Sequence, residues 1–208
     1  MFIGFARFER IYSLIRYRRS SCKNFGLSSF NSNFRDYNIN IDIVKVSQWA
    51  DCKINDIVSI EPYSDIDTIR KPPICSDLNA IKSIWVPAYE KIAIEIVCET
   101  NCEADTFHIT EKTLRPMYYR RPMLVIGPIN YMKRLREMGF RTFENIIPQE
   151  YDSLDGLARV DAVFTTLENL IQNKNLDNIL TECNDDLEHN YRLVQKISQE
   201  HLMNSLKN

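Results

Sequence analysis

Apolar residues at Phe8, Ile11, Tyr12 and Ile15 follow the three-and-four spacing of a helix that buries one face. The asparagine-rich stretch from Phe30 to Asn40 predicts turns and a loose loop. Ile39 to Val46 alternates apolar and polar positions, as a half-buried strand does, and Ile54 to Ile60 is a second, weaker strand pattern. Three prolines and two aspartates between Glu61 and Pro73 mark a loop or a boundary. Asp77 to Val86 fits a helix that stops at Pro87.

From Tyr89 onward the pattern is cleaner. Lys91 to Cys98 is rich in β-branched residues and predicts a strand buried on at least one face. The polar stretch from Thr100 to His108 predicts a loop, and Thr110 is placed to cap a helix. Pro116 falls inside that helix, so either Thr110 to Arg115 forms a separate first turn or the helix kinks. Met123 to Ile126 is a short apolar strand closed by Gly127-Pro128. Tyr131, Leu135 and Met138 make a helical stripe, with Gly139 as its stop. Arg141-Thr142-Phe143 predicts a brief strand. Leu157, Val160, Phe164, Leu167 and Ile171 predict an amphipathic helix, and Leu187, Tyr191, Val194 and Ile197 a last long one.

Strand, helix, strand, helix, short strand, helix is the alternation of a doubly wound α/β unit with a parallel sheet. Such sheets bind ligands at the carboxyl ends of their strands. Glu99 ends the first of these strands and Thr110 to Lys112 open the next helix, so both fall on that edge.

The 208 residues, 44% of them hydrophobic, suit one medium domain or a domain with a smaller appendage. A net charge of -2 argues against a general nucleic-acid binder, and the local cluster Arg16, Arg18 and Arg19 reads as a solvated helix face. No apolar run reaches the ~20 residues of a membrane span. Met1 to Arg7 is too soon interrupted by charge for a secretory signal. The six cysteines are scattered, and Cys98 and Cys102 lack metal-ligand spacing. They read as reduced thiols of a cytoplasmic protein. His189 and His201 fall in a charged helical pattern and read as surface residues.

The candidate chemistry gathers around Ile109-Thr110-Glu111-Lys112. The first turn of a helix offers free backbone N–H groups and a positive dipole end, which attract phosphate. Lys112 adds a full positive charge there, suited to a departing diphosphate. Glu111 and Glu99 have carboxylates able to accept hydrogen bonds from sugar hydroxyls, and Glu99 is also placed to act as a base. The bland alternative is that Glu111 merely complements the helix dipole. Arg115, Arg120 and Arg121 are candidates for bidentate contacts to a diphosphate, although a helix points them in different directions. His108 reads as a surface or structural residue before a base. Glu150, Tyr151 and Asp152 read as a cap for the last helix or as the rim of a cleft. Cys98, with no base beside it, reads as core.

These motifs carry a resemblance. Ile96-Val97-Cys98-Glu99-Thr100-Asn101, then Phe107-His108-Ile109-Thr110-Glu111-Lys112, then Pro122 to Gly127 resemble the donor-binding half of family 10 fucosyltransferases, the α-1,3/1,4 type. Thr110 to Thr113, Gly139 to Phe143 and Glu150-Tyr151-Asp152 resemble more closely glycosyltransferase-like proteins, many of them from phages. The resemblance implies a GT-B-type fold with Rossmann-like halves and a nucleoside-diphosphate sugar as donor. It implies that Lys112 faces the diphosphate, that Glu111 faces the ribose and that Glu99 lies beside the donor sugar. Thr110 and Arg115 complete the expected donor-binding group, with no metal and no other cofactor. The acceptor would supply a hydroxyl.

Several positions depart from the pattern. Thr100 replaces Asn, His108 replaces Tyr, and Tyr118, Tyr119, Arg120 and Arg121 stand where small residues are usual. Residues 1–85 have no counterpart in the resemblance and are short for an acceptor half, since domains usually run to ~100–150 residues. The expected organisation is therefore a small N-terminal α/β portion, residues 1–85, and a Rossmann-like donor-binding domain with C-terminal helices, residues 86–208. The catalytic base has no identifiable position. The alternative expectation is a non-catalytic structural or interaction module that keeps the fold without the chemistry.

Overall fold

The computed structural model describes residues 2–3, 8–24, 29–30, 89–99, 102, 107–173 and 176–205. Strand β1 (Phe2–Ile3) is followed by helix α1 (Phe8–Arg19), and β2 (Ser29–Phe30) comes next. After an undescribed stretch come β3 (Glu95–Cys98), α2 (Glu111–Tyr118), β4 (Met123–Ile126) and α3 (Tyr131–Glu137). A 3₁₀ turn (Glu150–Ser153) leads into α4 (Gly156–Asn173), α5 (Leu176–Glu182) and α6 (Asn184–Ser205). The molecule is mixed α/β, mostly helical, around a small parallel sheet in the order β2-β1-β3-β4. The strands expected at Ile39 to Val46 and Ile54 to Ile60, the loop from Glu61 to Pro73 and the helix from Asp77 to Val86 lie outside the described residues, as do most of the two polar loops.

Strands β3 and β4 pair from Glu95↔Met123 to Cys98↔Ile126, and all eight of these residues are buried. Successive side chains point to opposite faces, so both faces of this pair are covered. β3 therefore carries two carboxylates, Glu95 and Glu99, on one face, with Val97 between them. Helix α2 packs against β3 and answers both.

The lower half of that contact is a closed ring of hydrogen bonds. Arg115 Nη2 donates to Glu95 Oε1 at 2.6 Å and Arg115 Nε donates to the Tyr89 hydroxyl at 2.8 Å, while that hydroxyl donates to Glu95 Oε2. Arg115 and Glu95 are 6% and 1% exposed, so each charge depends on the other. Burial pulls the Arg115 pKa down, but the Glu95 carboxylate more than reverses this and the net shift is upward. Tyr89 is held well above its ordinary value by burial and then by Glu95.

Pro116 lies within α2 and neither ends the helix nor isolates its first turn. The stop comes at Arg120, whose φ of 52° is left-handed. Arg121 N donates to Pro116 O and Arg120 N to Met117 O, the paired bonds of a Schellman motif. Glycine usually occupies this position because a Cβ is disfavoured there. Arg120 is held by its side chain instead, donating to Glu188 at 2.8 Å with its guanidinium 3.5 Å from the Tyr191 ring centre on α6. Gly139 ends α3 with the same pair of bonds, Phe140 N to Leu135 O and Gly139 N to Arg136 O, at φ 91°.

Three local expectations are corrected. Arg141-Thr142-Phe143 is not a strand: Phe143 has φ 64°, and the Asn190 side chain occupies a strand neighbour's place, bonding Arg141 N and O at 2.8 and 2.7 Å. Met138 is 51% exposed and leaves the α3 stripe to Tyr131, Met132 and Leu135. Arg16 is not a free solvated charge: it pairs with Asp161 of α4 at 2.8 Å and lies 5.8 Å from the Phe164 ring centre.

Arg115→Met should cost about 3–5 kcal/mol in urea denaturation, because it strands Glu95. Adding Glu95→Leu to that variant should recover part of the loss. Equal stability of Arg115→Met and the native protein would show that the pair does not hold α2 to the sheet.

Candidate functional site

At the carboxyl end of β3, Glu99 is 2% exposed and ties four segments together. Its Oε2 accepts from Thr110 Oγ1 at 2.7 Å. Its Oε1 accepts from Thr113 Oγ1 at 2.5 Å, from the Tyr131 hydroxyl at 2.9 Å and, at 3.4 Å, from Thr110 N. Tyr131 also lies 3.2 Å from His108 O. One carboxylate thus fixes the strand end, the segment before α2, the first turn of α2 and the start of α3. Burial raises the Tyr131 pKa, and the Glu99 carboxylate adds to the rise.

Gly127 makes this packing possible. A Cβ at that position would stand 3.1 Å from the Tyr131 ring, so glycine at the end of β4 lets the ring lie close enough for its hydroxyl to reach Glu99. Phe107 packs on Tyr131 with ring centres 4.9 Å apart, under the Arg134 guanidinium.

Thr110 is the expected N-cap. Its Oγ1 accepts from Lys112 N at 3.2 Å while donating to Glu99, so a single hydroxyl orients the helix start and anchors it to the sheet. Glu111 and Lys112 follow at once. Their side chains pair at 2.6 Å and are 43% and 15% exposed. Burial raises the Glu111 pKa, but the hydrogen bond and charge of Lys112 outweigh it, and the carboxyl lies below its ordinary value.

The structure brings Glu99, Thr110, Glu111 and Lys112 together and sets Arg115 apart. Arg115 binds Glu95, four strand residues or ~13 Å from Glu99, at the amino end of β3. Arg120 and Arg121 lie at that same far end. Arg121 donates to the Tyr89 and Ile92 carbonyls at 2.7 and 2.6 Å, and Tyr119 stacks on Tyr89 with ring centres 4.2 Å apart. The bulky Tyr-Tyr-Arg-Arg run therefore locks the C-terminus of α2. His108 is exposed, and Cys98 is fully buried core.

Asp152, expected to cap the last helix or line a rim, caps α3 from a distance. Its carboxylate accepts from Met132 N at 2.9 Å and Lys133 N at 3.0 Å. Asn130, the residue before the helix, makes no side-chain cap. Sequence reasoning also missed Tyr131 and Thr113 as partners of Glu99. The helical spacing of Tyr131 marked a buried face, and only the position of Glu99 at a strand end hinted that the face would need hydroxyls.

Among the described residues, no group of three or more His, Cys, Asp or Glu is placed to hold a metal ion, and no helix is long and apolar enough to cross a membrane. Cys22, Cys98, Cys102 and Cys183 are all buried. An open groove of about 520 Å³ lies beside α6, between Arg141 and Lys196. Two of its cations are already paired, Arg141 with Asp186 and Arg192 with Glu188, so little net charge is left to select a ligand. The chain matches no protein-family model, no curated protein and no solved structure.

The raised pKa of Tyr131 fixes the sign of a pH dependence. Its stabilising effect is complete below the ordinary tyrosine value of 10.0 and is lost as pH rises toward its higher folded value. Urea midpoints should therefore hold up to about pH 10 and fall above it, less steeply in Tyr131→Phe. Glu99→Leu, which removes the carboxylate that accepts from Thr110, Thr113 and Tyr131, should cost about 1–3 kcal/mol or more. An unchanged urea midpoint would remove Glu99 as the hub.

Proposed function

We propose that this protein binds a nucleoside-diphosphate sugar at the carboxyl edge of its sheet and transfers the sugar to a hydroxyl acceptor. The observation that carries the reading is the Glu99–Thr110 hydrogen bond of 2.7 Å, which seats Glu111 and Lys112 in the first turn of α2 beside the end of a parallel strand. Further support comes from the sheet. The order β2-β1-β3-β4 reverses direction between β1 and β3, and open parallel sheets take their ligands at such a reversal. That order, with β3 and β4 buried on both faces, favours a Rossmann-like doubly wound half of the GT-B type.

In this reading Lys112 faces the diphosphate and Glu111 the ribose, as in the family 10 fucosyltransferases that the sequence resembles. Glu99 acts by holding Thr110 in place, and Arg115 by holding α2 down. During transfer, the bond from the anomeric carbon to the diphosphate oxygen breaks and a bond to the acceptor oxygen forms. The acceptor proton passes to a base, and Lys112 with the helix N–H groups stabilises the charge on the departing diphosphate.

A second reading, a non-catalytic interaction module, is favoured by a specific observation. Glu99 is bonded to Thr113 and Tyr131 and Arg115 to Glu95, all within the protein, and Lys112 already has Glu111 as a counter-ion.

Calorimetric titration with a panel of nucleoside diphosphates separates the two. Lys112→Ala should weaken binding at least tenfold, the scale of one charge-assisted hydrogen bond. Absence of binding by every nucleoside diphosphate, in a folded sample, would leave the interaction module.

A further inference from the structure

Residues adjacent in a helix project about 100° apart and do not face each other. Lys112 and Glu111 nevertheless meet at 2.6 Å, so both side chains turn toward one another. The cation is the less exposed of the two, at 15% against 43%, so the Glu111 carboxylate contributes to its cover. Lys112 is therefore matched to a negative group before any ligand arrives.

We propose that Glu111 is a built-in competitor for Lys112, a carboxylate that a ligand must displace. The proposal rests on the reading of Lys112 as the diphosphate contact and adds regulation to that same site. A singly charged anion offers Lys112 no more than Glu111 already does. A pyrophosphate group carries several negative charges and more acceptor oxygens, so it displaces the carboxylate. Glu111 thereby works as a charge filter, excluding monoanions at the cost of some affinity for everything. The Glu111 side chain is 43% exposed, which limits the effect to a modest one.

The probe is inorganic pyrophosphate, titrated into the full chain by calorimetry, with acetate as the monoanion. Glu111→Gln should bind pyrophosphate about fivefold more tightly than the native protein and should gain measurable acetate binding. Glu111→Ala should move in the same direction. Glu137→Gln, which removes an exposed carboxylate at the end of α3, should change neither. Unchanged or weaker pyrophosphate binding in both Glu111 variants, while the native protein binds, overturns the filter and leaves the Lys112 reading standing. An equal gain in Glu137→Gln also overturns it, because the effect would then be general charge. No pyrophosphate binding by the native protein or any variant removes Lys112 as an anion contact, and the filter with it.

Discussion

The structure hangs on two carboxylates placed on one face of a single short strand. Glu95 and Glu99 stand four residues apart on β3, both nearly inaccessible to water. A buried carboxylate without partners is among the most costly groups a fold can contain. Each must be answered by whatever covers that face, and helix α2 supplies one partner to each, Arg115 and Thr113. Arg115 and Tyr89 close a charged ring around Glu95, while Thr110, Thr113 and Tyr131 donate to Glu99. The two clamps use different chemistry. The first is an ion pair that fixes position through charge, and the second is a set of neutral hydroxyls that fixes direction through geometry. Together they determine where α2 begins and how it lies on the sheet.

The start of α2 is consequently the best-defined part of the candidate site. Thr110 cannot move without releasing Glu99, and Lys112 N cannot lose its cap without releasing Thr110. The far end is secured by a different device. Arg120 holds a left-handed backbone conformation that usually belongs to glycine, and its contacts with Glu188 and Tyr191 offset that cost. Bulky residues at positions where the resembling families have small ones are therefore used here, to tie α2 to α6.

Much of this was legible in the sequence, and what escaped has physical reasons. Thr110 as cap, Gly139 as stop, the β4 strand and the helices containing Phe164 and Tyr191 follow from local rules, because caps and apolar periodicity act over a few residues. The bond of Arg115 to Glu95 was not legible because that partner lies 20 residues away on the strand, and nothing within α2 distinguishes a cation facing a ligand from one facing a buried glutamate. Glu95 drew no attention because one acidic residue inside an apolar run looks like the solvated side of a strand. Arg141 to Phe143 looked like a strand because its backbone is bonded as one, to the Asn190 side chain and not to another strand. Each miss concerns a polar partner distant in sequence.

The engagement of Glu99 bears directly on how the site would work. A carboxylate that already accepts three hydroxyl hydrogen bonds has little capacity left for a sugar, and drawing it away would loosen the start of α2 and the seat of Lys112 with it. Direct contact with a ligand and support of the site are therefore in conflict at Glu99, and its burial decides for support. Glu111 is in the opposite position. It is the more exposed member of its pair, and its bonded partner is the adjacent lysine. The division follows from burial: the inaccessible carboxylate holds helix and sheet together, and the accessible one is paired only at the surface edge of the first turn.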